Sequence, residues 1–177
     1  MQTDSVVRGD GMRFEIERKF LVRGDAWKKL AAGSTHIRQA YLMANDKASI
    51  RVRIKGDRSA TLTIKSRGAD RRRLELEYDI PTVEAEALIP LRRGFVIEKL
   101  RYDVLWGTLT WEIDVFSGEN AGLTIAEIEL HHEAQHIELP PWVGAEVTGK
   151  GQYHNGSLAQ YPFRQWTAAE PAWLSGT

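Results

Sequence analysis

Acidic and basic side chains recur at alternate positions along much of this chain, a spacing that can gather charge for chemistry. With residues 14–22 extended, Glu15, Glu17 and Lys19 share one face, and Phe14, Ile16, Phe20 and Val22 take the other with Arg18. The same parity sets Arg51, Arg53 and Lys55 against Ile50, Val52 and Ile54, and Thr61, Thr63 and Lys65 against Leu62 and Ile64. Further on, one face carries Arg73, Glu75, Glu77 and Asp79, then Lys99, Arg101 and Asp103, then Glu112 and Asp114, then Glu127 and Glu129. Clustered carboxylates suit a hard divalent cation such as Mg²⁺, which takes a few carboxylates plus phosphates and water. Arginines and lysines hold phosphate oxygens. Acids slightly outnumber bases on these faces, so a compact polyanion carried with magnesium is the ligand that balances them.

The elements that must position these groups are strands. Runs near 14–22, 36–43, 48–55, 59–66, 72–80, 95–105, 108–116 and 123–131 alternate, and the breaks carry turn residues such as Asn45-Asp46, Gly56-Asp57, Gly68-Ala69-Asp70 and Gly107. Helical pieces are expected after Asp25 to about Gly33, at 82–91, at 133–137 and near 155–160. Eight strands on mostly short links predict a mainly β (α+β) fold, a closed eight-stranded antiparallel β-barrel with a few outer helices, since closure removes edges. One strand with a charged face is ordinarily half-buried with that face in water. Charges of both signs on the same face of nearly every strand argue instead that this face lines the interior. Isolated buried charges cost several kcal/mol each, so such an interior must be paired, hydrated or matched to a ligand.

Composition narrows the class. The chain has 177 residues, of which 27% are charged with a formal net charge of zero, which argues against nucleic-acid binding by bulk charge. Zero cysteines exclude disulfides and thiolate metal sites and fit a reducing compartment. No apolar run approaches the roughly 18 residues of a membrane helix and no signal-peptide core is visible, so no membrane contact and a cytoplasmic location are expected. Residues 1–12 read as a polar, flexible leader, 13–165 as one domain and 166–177 as a tail.

Three motifs spell other chemistries. His132-Glu133-Ala134-Gln135-His136 matches the zinc-protease HExxH, but it follows a strand directly and meets Pro140-Pro141, leaving little helix to present both imidazoles. Gly144 to Lys150 matches a phosphate-loop spacing, yet Gly151 stands where a Ser or Thr would hold Mg²⁺; a flexible loop delivering Lys150 is expected. Asn155-Gly156-Ser157 is a glycosylation sequon by spelling only.

Taken in order, Glu15-x-Glu17-x-Lys19, Arg51-x-Arg53, Lys65 in Leu-Thr-Ile-Lys, Glu75-x-Glu77, Glu98-Lys99-x-Arg101-Tyr102, Glu112-x-Asp114-Val-Phe, Glu127-x-Glu129 and Lys150 form a set. It resembles the CYTH superfamily, the triphosphate tunnel metalloenzymes, over roughly 14–160, and most of all the short bacterial members, which are mostly inorganic triphosphatases. The resemblance implies a tunnel that binds triphosphate and hydrolyses its terminal phosphoanhydride. It assigns Glu15, Glu17, Glu127 and Glu129, with Asp114 as a weaker candidate, to catalytic Mg²⁺ or Mn²⁺. Lys19, Arg51, Arg53, Lys65, Arg101 and Lys150 would grip phosphates. Glu75, Glu77 and Glu112 would support them, and Lys99 aligns with a lysine proposed as general base. A free lysine is protonated at neutral pH, so that role needs neighbouring cations such as Arg101; the alternative is a water made acidic by the metal, with Lys99 binding phosphate. An organic triphosphate would need apolar contacts, for which Trp27, Tyr41, Trp142 and Tyr153 are the candidates. The other readings are a class IV-type adenylate cyclase, a thiamine or nucleoside triphosphatase, and a polyphosphate- or nucleotide-binding module without turnover. The resemblance also allows a homodimer.

Overall fold

The computed structural model describes residues 16–66, 74–132 and 134–166. Nine strands form one antiparallel sheet: β1 (Ile16–Val22), β2 (Ala31–Ala44), β3 (Ala48–Lys55), β4 (Ser59–Ser66), β5 (Glu75–Ile80), β6 (Arg93–Trp106), β7 (Leu109–Ser117), β8 (Thr124–Leu130) and β9 (Val143–Glu146). Their order is β5-β4-β3-β2-β6-β7-β8-β1-β9. Three short α-helices accompany them: α1 (Thr82–Leu88), α2 (Asn155–Gln160) and α3 (Phe163–Trp166). The expected fold class stands, mainly antiparallel β with few helices.

Several local expectations are corrected. The sheet has a ninth strand at 143–146, inside the stretch read as a flexible loop, where β9 pairs with β1. Among the described residues no ladder joins β5 to β9, so the curled sheet has two edges. The piece after Asp25 is one 3-10 turn, Ala26–Lys29, and β2 starts directly behind it; Asp25 makes no capping hydrogen bond and pairs with Lys28 at 2.9 Å. No helix forms over 134–137, and Glu133 of the HExxH spelling lies outside the described residues, as do Glu15 and Arg73. A helix there would need a face to bury, and the segment instead lays Ile137 into the apolar layer.

Hairpin geometry carries the register. β6 and β7 join through Gly107-Thr108, with Trp106 opposite Leu109 and Gly107 at φ 61°. Glycine takes that positive φ without a Cβ penalty, and it matches the twist of the strands.

Two apolar layers cover the outer side of the curl. One joins Phe20, Trp111, Ile113, Ala126, Ile128 and Trp142 with Trp27 and Val104. Trp111 meets Trp142 edge-on at 5.5 Å and Phe20 at 5.6 Å, contacts that add to the area they bury. The other layer puts α1 over β3 and β4 through Ala85, Val52, Ile54 and Ala60. A third cluster lies on the opposite side. Tyr41, Ile97, Phe116 and Ile125 share the parity of the charged residues, and Tyr153, Leu158, Ala159 and Trp166 from the C-terminal segment pack onto them. One end of the inner face is therefore apolar and covered by α2 and α3. Among the described residues no helix is long and apolar enough to cross a membrane.

Candidate active site

The charged parity read from the sequence falls on the concave face, and three neighbouring strands repeat one gradient along it. β6 runs from exposed Asp103 through Arg101 and Lys99 to buried Ile97. β7 runs from Glu112 through Asp114 to Phe116, and β8 from exposed Glu129 through Glu127 to Ile125. Charge thus passes from a wet acidic end, through a buried ionic layer, to an apolar floor.

The buried layer is a network of ion pairs. Lys99 and Asp114 are both 0% exposed and paired directly, and Lys99 also stands 5.3 Å from the Phe116 ring. Arg101 forks onto Asp114, donating from Nε to Oδ1 and from Nη2 to Oδ2, both at 2.7 Å. The same guanidinium donates to Glu112 and, at 2.9 Å, to Glu127. Lys19 Nζ lies between two carboxylates, 2.5 Å from Glu127 Oε1 and 3.2 Å from Glu17 Oε1.

Burial and neighbours shift these groups in opposite directions. Burial chiefly lowers the Lys99 pKa; Asp114 opposes, and Arg101 pushes it down further. For Lys19 burial works the same way, but Glu127 and Glu17 outweigh it and the ammonium is held more firmly than usual. Burial also opposes the Glu127 carboxylate, yet Lys99, Lys19 and Arg101 hold it well below the usual range. Glu112 is raised, by burial first, against Arg101. Arg53 is pushed down to about 10 by burial and then by Arg51 and Arg101, which leaves it charged near neutrality.

On the far strands, Arg53 Nε donates to Gln39 Oε1 at 2.8 Å, and Arg51 Nη2 to Thr63 Oγ1 at 3.1 Å. Thr63 donates to Glu77 at 3.0 Å, and Lys65 pairs with Glu75 at 2.9 Å. The concave face thus has a cationic part, Arg51, Arg53, Lys55 and Lys65 on β3 and β4 with Lys99 and Arg101 on β6. Acids flank it on both sides, Glu75, Glu77 and Asp79 on β5 and a second set on β7, β8 and β1.

Like charges face each other across the acidic strands. Glu17 is opposite Glu129, and Glu127 is opposite Glu112, which is opposite Asp103. Such pairs destabilise a sheet unless a cation sits between them. Oxygen-only donors of this kind match Mg²⁺ or Mn²⁺. Among the described residues no three of these carboxylates converge as a ready metal cluster, because Lys19 and Arg101 already engage Glu127.

The structure does not unite all the residues singled out from the sequence. Lys150 is exposed beyond β9, where its backbone N–H donates to Val147 O. The segment instead meets Lys19 through its backbone: the Val147 N–H donates to Lys19 O at 2.8 Å, and Thr148 Oγ1 accepts from the Lys19 N–H at 3.0 Å. Asp114 has both oxygens committed to Lys99 and Arg101, so it is placed to fix those cations rather than to offer a free ligand oxygen. Trp27 and Trp142 are buried in the outer layer, and Tyr41 and Tyr153 in the inner apolar cluster. Gln39 and Thr63 are both buried on the charged parity; Thr63 shares the face of Lys65 in the sequence pattern, but an uncharged side chain carries no signal of a role there beyond its register.

Comparison with known proteins agrees with this architecture. The CYTH domain model matches residues 13–160. The chain is 45% identical over 153 residues to an inorganic triphosphatase of Acetivibrio thermocellus, covering 86% of this chain and 97% of that protein. It is 38% identical over 149 residues to an inorganic triphosphatase of Nitrosomonas europaea, covering 82% and 96%. A crystal structure of an inorganic triphosphatase superposes with a TM-score of 0.63 at 35% identity, covering 84% of this chain and 95% of that one. By sequence and by fold, this chain belongs to the CYTH family.

Proposed function

We propose that this protein hydrolyses the terminal phosphoanhydride of inorganic triphosphate with the help of Mg²⁺ or Mn²⁺. The observation that carries the reading is the division of one concave face into a cationic part and an acidic part that meet at the Lys99–Asp114–Arg101–Glu127 network. The two relatives named inorganic triphosphatase support the same substrate.

Arg51, Arg53, Lys65 and Arg101 bind the phosphate chain as fixed donors, and Thr63, Glu75 and Glu77 hold these cations in place. Glu17, Glu127 and Glu129 would hold the metal, and the donor chemistry fits it. When bound, the metal neutralises charge on the phosphates and on the leaving pyrophosphate. Lys19 leaves its place between Glu17 and Glu127 to meet phosphate. Burial lowers the Lys99 pKa and so enlarges the fraction with a neutral amine; in that form Lys99 takes a proton from the attacking water, while Asp114 and Arg101 fix its position. Water attacks the terminal phosphorus, the bridging P–O bond breaks, and phosphate and pyrophosphate are the products.

The four aromatic residues that could have held a base or thiazole ring are buried in packing clusters, which favours a substrate with nothing beyond its phosphates. The test is to incubate the protein with inorganic triphosphate, ATP or thiamine triphosphate, each with Mg²⁺, Mn²⁺ or a chelator, and to measure phosphate and cyclic AMP. Phosphate should come chiefly from inorganic triphosphate and stop with chelator. Release of cyclic AMP from ATP, or no turnover of any of them, overturns the proposal.

A further inference from the structure

Gln39 lies in the middle of the inner face of β2, between Ile37 and Tyr41, and is 0% exposed. Its register neighbours are Arg53 on β3 and Ile97 on β6, so it stands where the ionic layer meets the apolar floor. Its two amide ends are treated differently. Oε1 accepts from Arg53 Nε at 2.8 Å, which fixes the amide orientation, since a flipped amide would turn its N–H groups toward a guanidinium. The buried Nε2 then has no hydrogen-bond partner. One strand over, the buried Nε of Arg51 has none either, although that guanidinium is anchored through Nη2 to Thr63.

Buried donors are nearly always satisfied, and two open ones on adjacent strands of one inner face call for an explanation. The local chemistry narrows it. Arg51, Arg53 and Lys55 set positive charge beside the position, and the acid on this row, Asp79, is reached only beyond Arg53 and Thr61. The positive charge favours an anionic acceptor here, and one with several oxygens can meet both donors. A carboxamide suits that task, because it holds Arg53 through its oxygen and offers its N–H₂ group without adding charge.

We infer that Gln39 is a substrate-binding residue, whose amide N–H₂, with Arg51 Nε, donates to one phosphoryl group of the bound chain at the end of the site walled by Tyr41 and Ile97. The same residue positions Arg53. This inference rests on the triphosphate reading above and adds a subsite to it. It also orients the substrate: the phosphoryl group at this end is backed by apolar packing, and the rest of the chain extends toward the acidic end.

Two nearly isosteric variants test it, Gln39→Met and Gln39→Glu, by steady-state hydrolysis of inorganic triphosphate and by thermal unfolding with and without that ligand and Mg²⁺. Gln39→Met removes both the acceptor and the donor. Its KM should rise about tenfold or more with kcat changed less than about threefold, the pattern of lost binding shared by ground and transition states. Gln39→Glu keeps an acceptor on Arg53, so it should unfold no earlier than the natural protein, yet it loses the donor and should also raise KM at least about tenfold. Ligand-induced stabilisation should shrink in both. A KM for Gln39→Glu within about twofold of the natural value, or a lower melting temperature in Gln39→Met with undiminished stabilisation by ligand, would show an amide that only holds Arg53 and would overturn the inference. If the natural protein itself gains no stability from triphosphate and Mg²⁺, the triphosphate reading falls as well; gain in the natural protein with unchanged variants sinks the Gln39 subsite alone.

Discussion

Replacing Asp114 by Asn isolates what the buried ionic layer contributes. The change is nearly isosteric, so it leaves packing alone and removes one charge. Asp114 is fully buried and accepts from Lys99 and twice from Arg101. Arg101 keeps Glu112 and Glu127, but the structure gives Lys99 no other carboxylate contact among the described residues. Glu127 still attracts the ammonium through space, so the cost is that of a buried ammonium deprived of its direct partner, about 3 kcal/mol. For a domain of this size, that lowers the melting temperature by about 10 °C. The loss should also depend on pH. The Lys99 pKa is already lowered by burial, and removing Asp114 takes away the stronger of the two carboxylates, Asp114 and Glu127, that oppose the shift. The unfolded chain keeps that proton to about pH 10.4. Between the lowered folded value and the unfolded one, the unfolded state binds more protons, so stability rises with pH. Denaturant unfolding of Asp114→Asn at several pH values should show stability climbing toward pH 10 more steeply than in the natural protein. The double variant Lys99→Met/Asp114→Asn should recover at least half of the loss, because no charge is stranded. A loss below about 1 kcal/mol with a flat pH profile would refute the reasoning, since Lys99 would then have found solvent or another acceptor.

Further outcomes concern the site and its frame. Glu17→Ala should fold normally and lose metal-dependent turnover together with the thermal stabilisation produced by Mg²⁺ and triphosphate; full activity would remove Glu17 from the metal set. Lys99→Met should lower kcat by about 10²–10⁴ while KM changes little if Lys99 handles the proton, and equal losses in affinity and turnover would mark it as a phosphate clamp. Gly94→Ala should detach the C-terminal helices: Gly94 has φ 72°, and an added Cβ would lie 2.2 Å from the Ala159 carbonyl oxygen. Its unfolding free energy should drop by at least about 2 kcal/mol, with faster proteolysis around 155–166; an unchanged digestion pattern would contradict the contact.

The sequence made strand identity and facing legible because a strand has a period of two, and the charges keep that period from β1 to β8. Lys99, Arg101, Glu112, Asp114 and Glu127 could be assigned to one face from parity alone, and their pairing follows from register. Parity does not say how far along the face a residue lies. Ile97, Phe116 and Ile125 share the parity of the charges, yet they form the floor onto which Leu158 and Trp166 pack. That floor depends on contacts between residues far apart in the chain, which no local pattern encodes. β9 escaped for a similar reason. Its four residues, Val-Gly-Ala-Glu, are too short for alternation to show, and pairing with β1 rather than propensity makes them a strand.

The ionic layer also accounts for the presence of so many carboxylates in the proposed polyanion site. Lys19, Lys65, Lys99 and Arg101 each contact a carboxylate. On the proposed reading, a phosphate chain entering this face takes Lys19 away from Glu127 and Glu17, and a carboxylate released in a buried setting is costly unless something positive replaces the lost partner. Glu17 and Glu127 share Lys19, and they stand on the strands where acids face acids. A divalent cation held there would offset the transfer of Lys19 to phosphate, so on this reading anion and metal would favour each other's binding without any change of fold. Asp114 is the exception. With both oxygens held by Lys99 and Arg101, it would stay in place under the proposed exchange and keep those two side chains aimed.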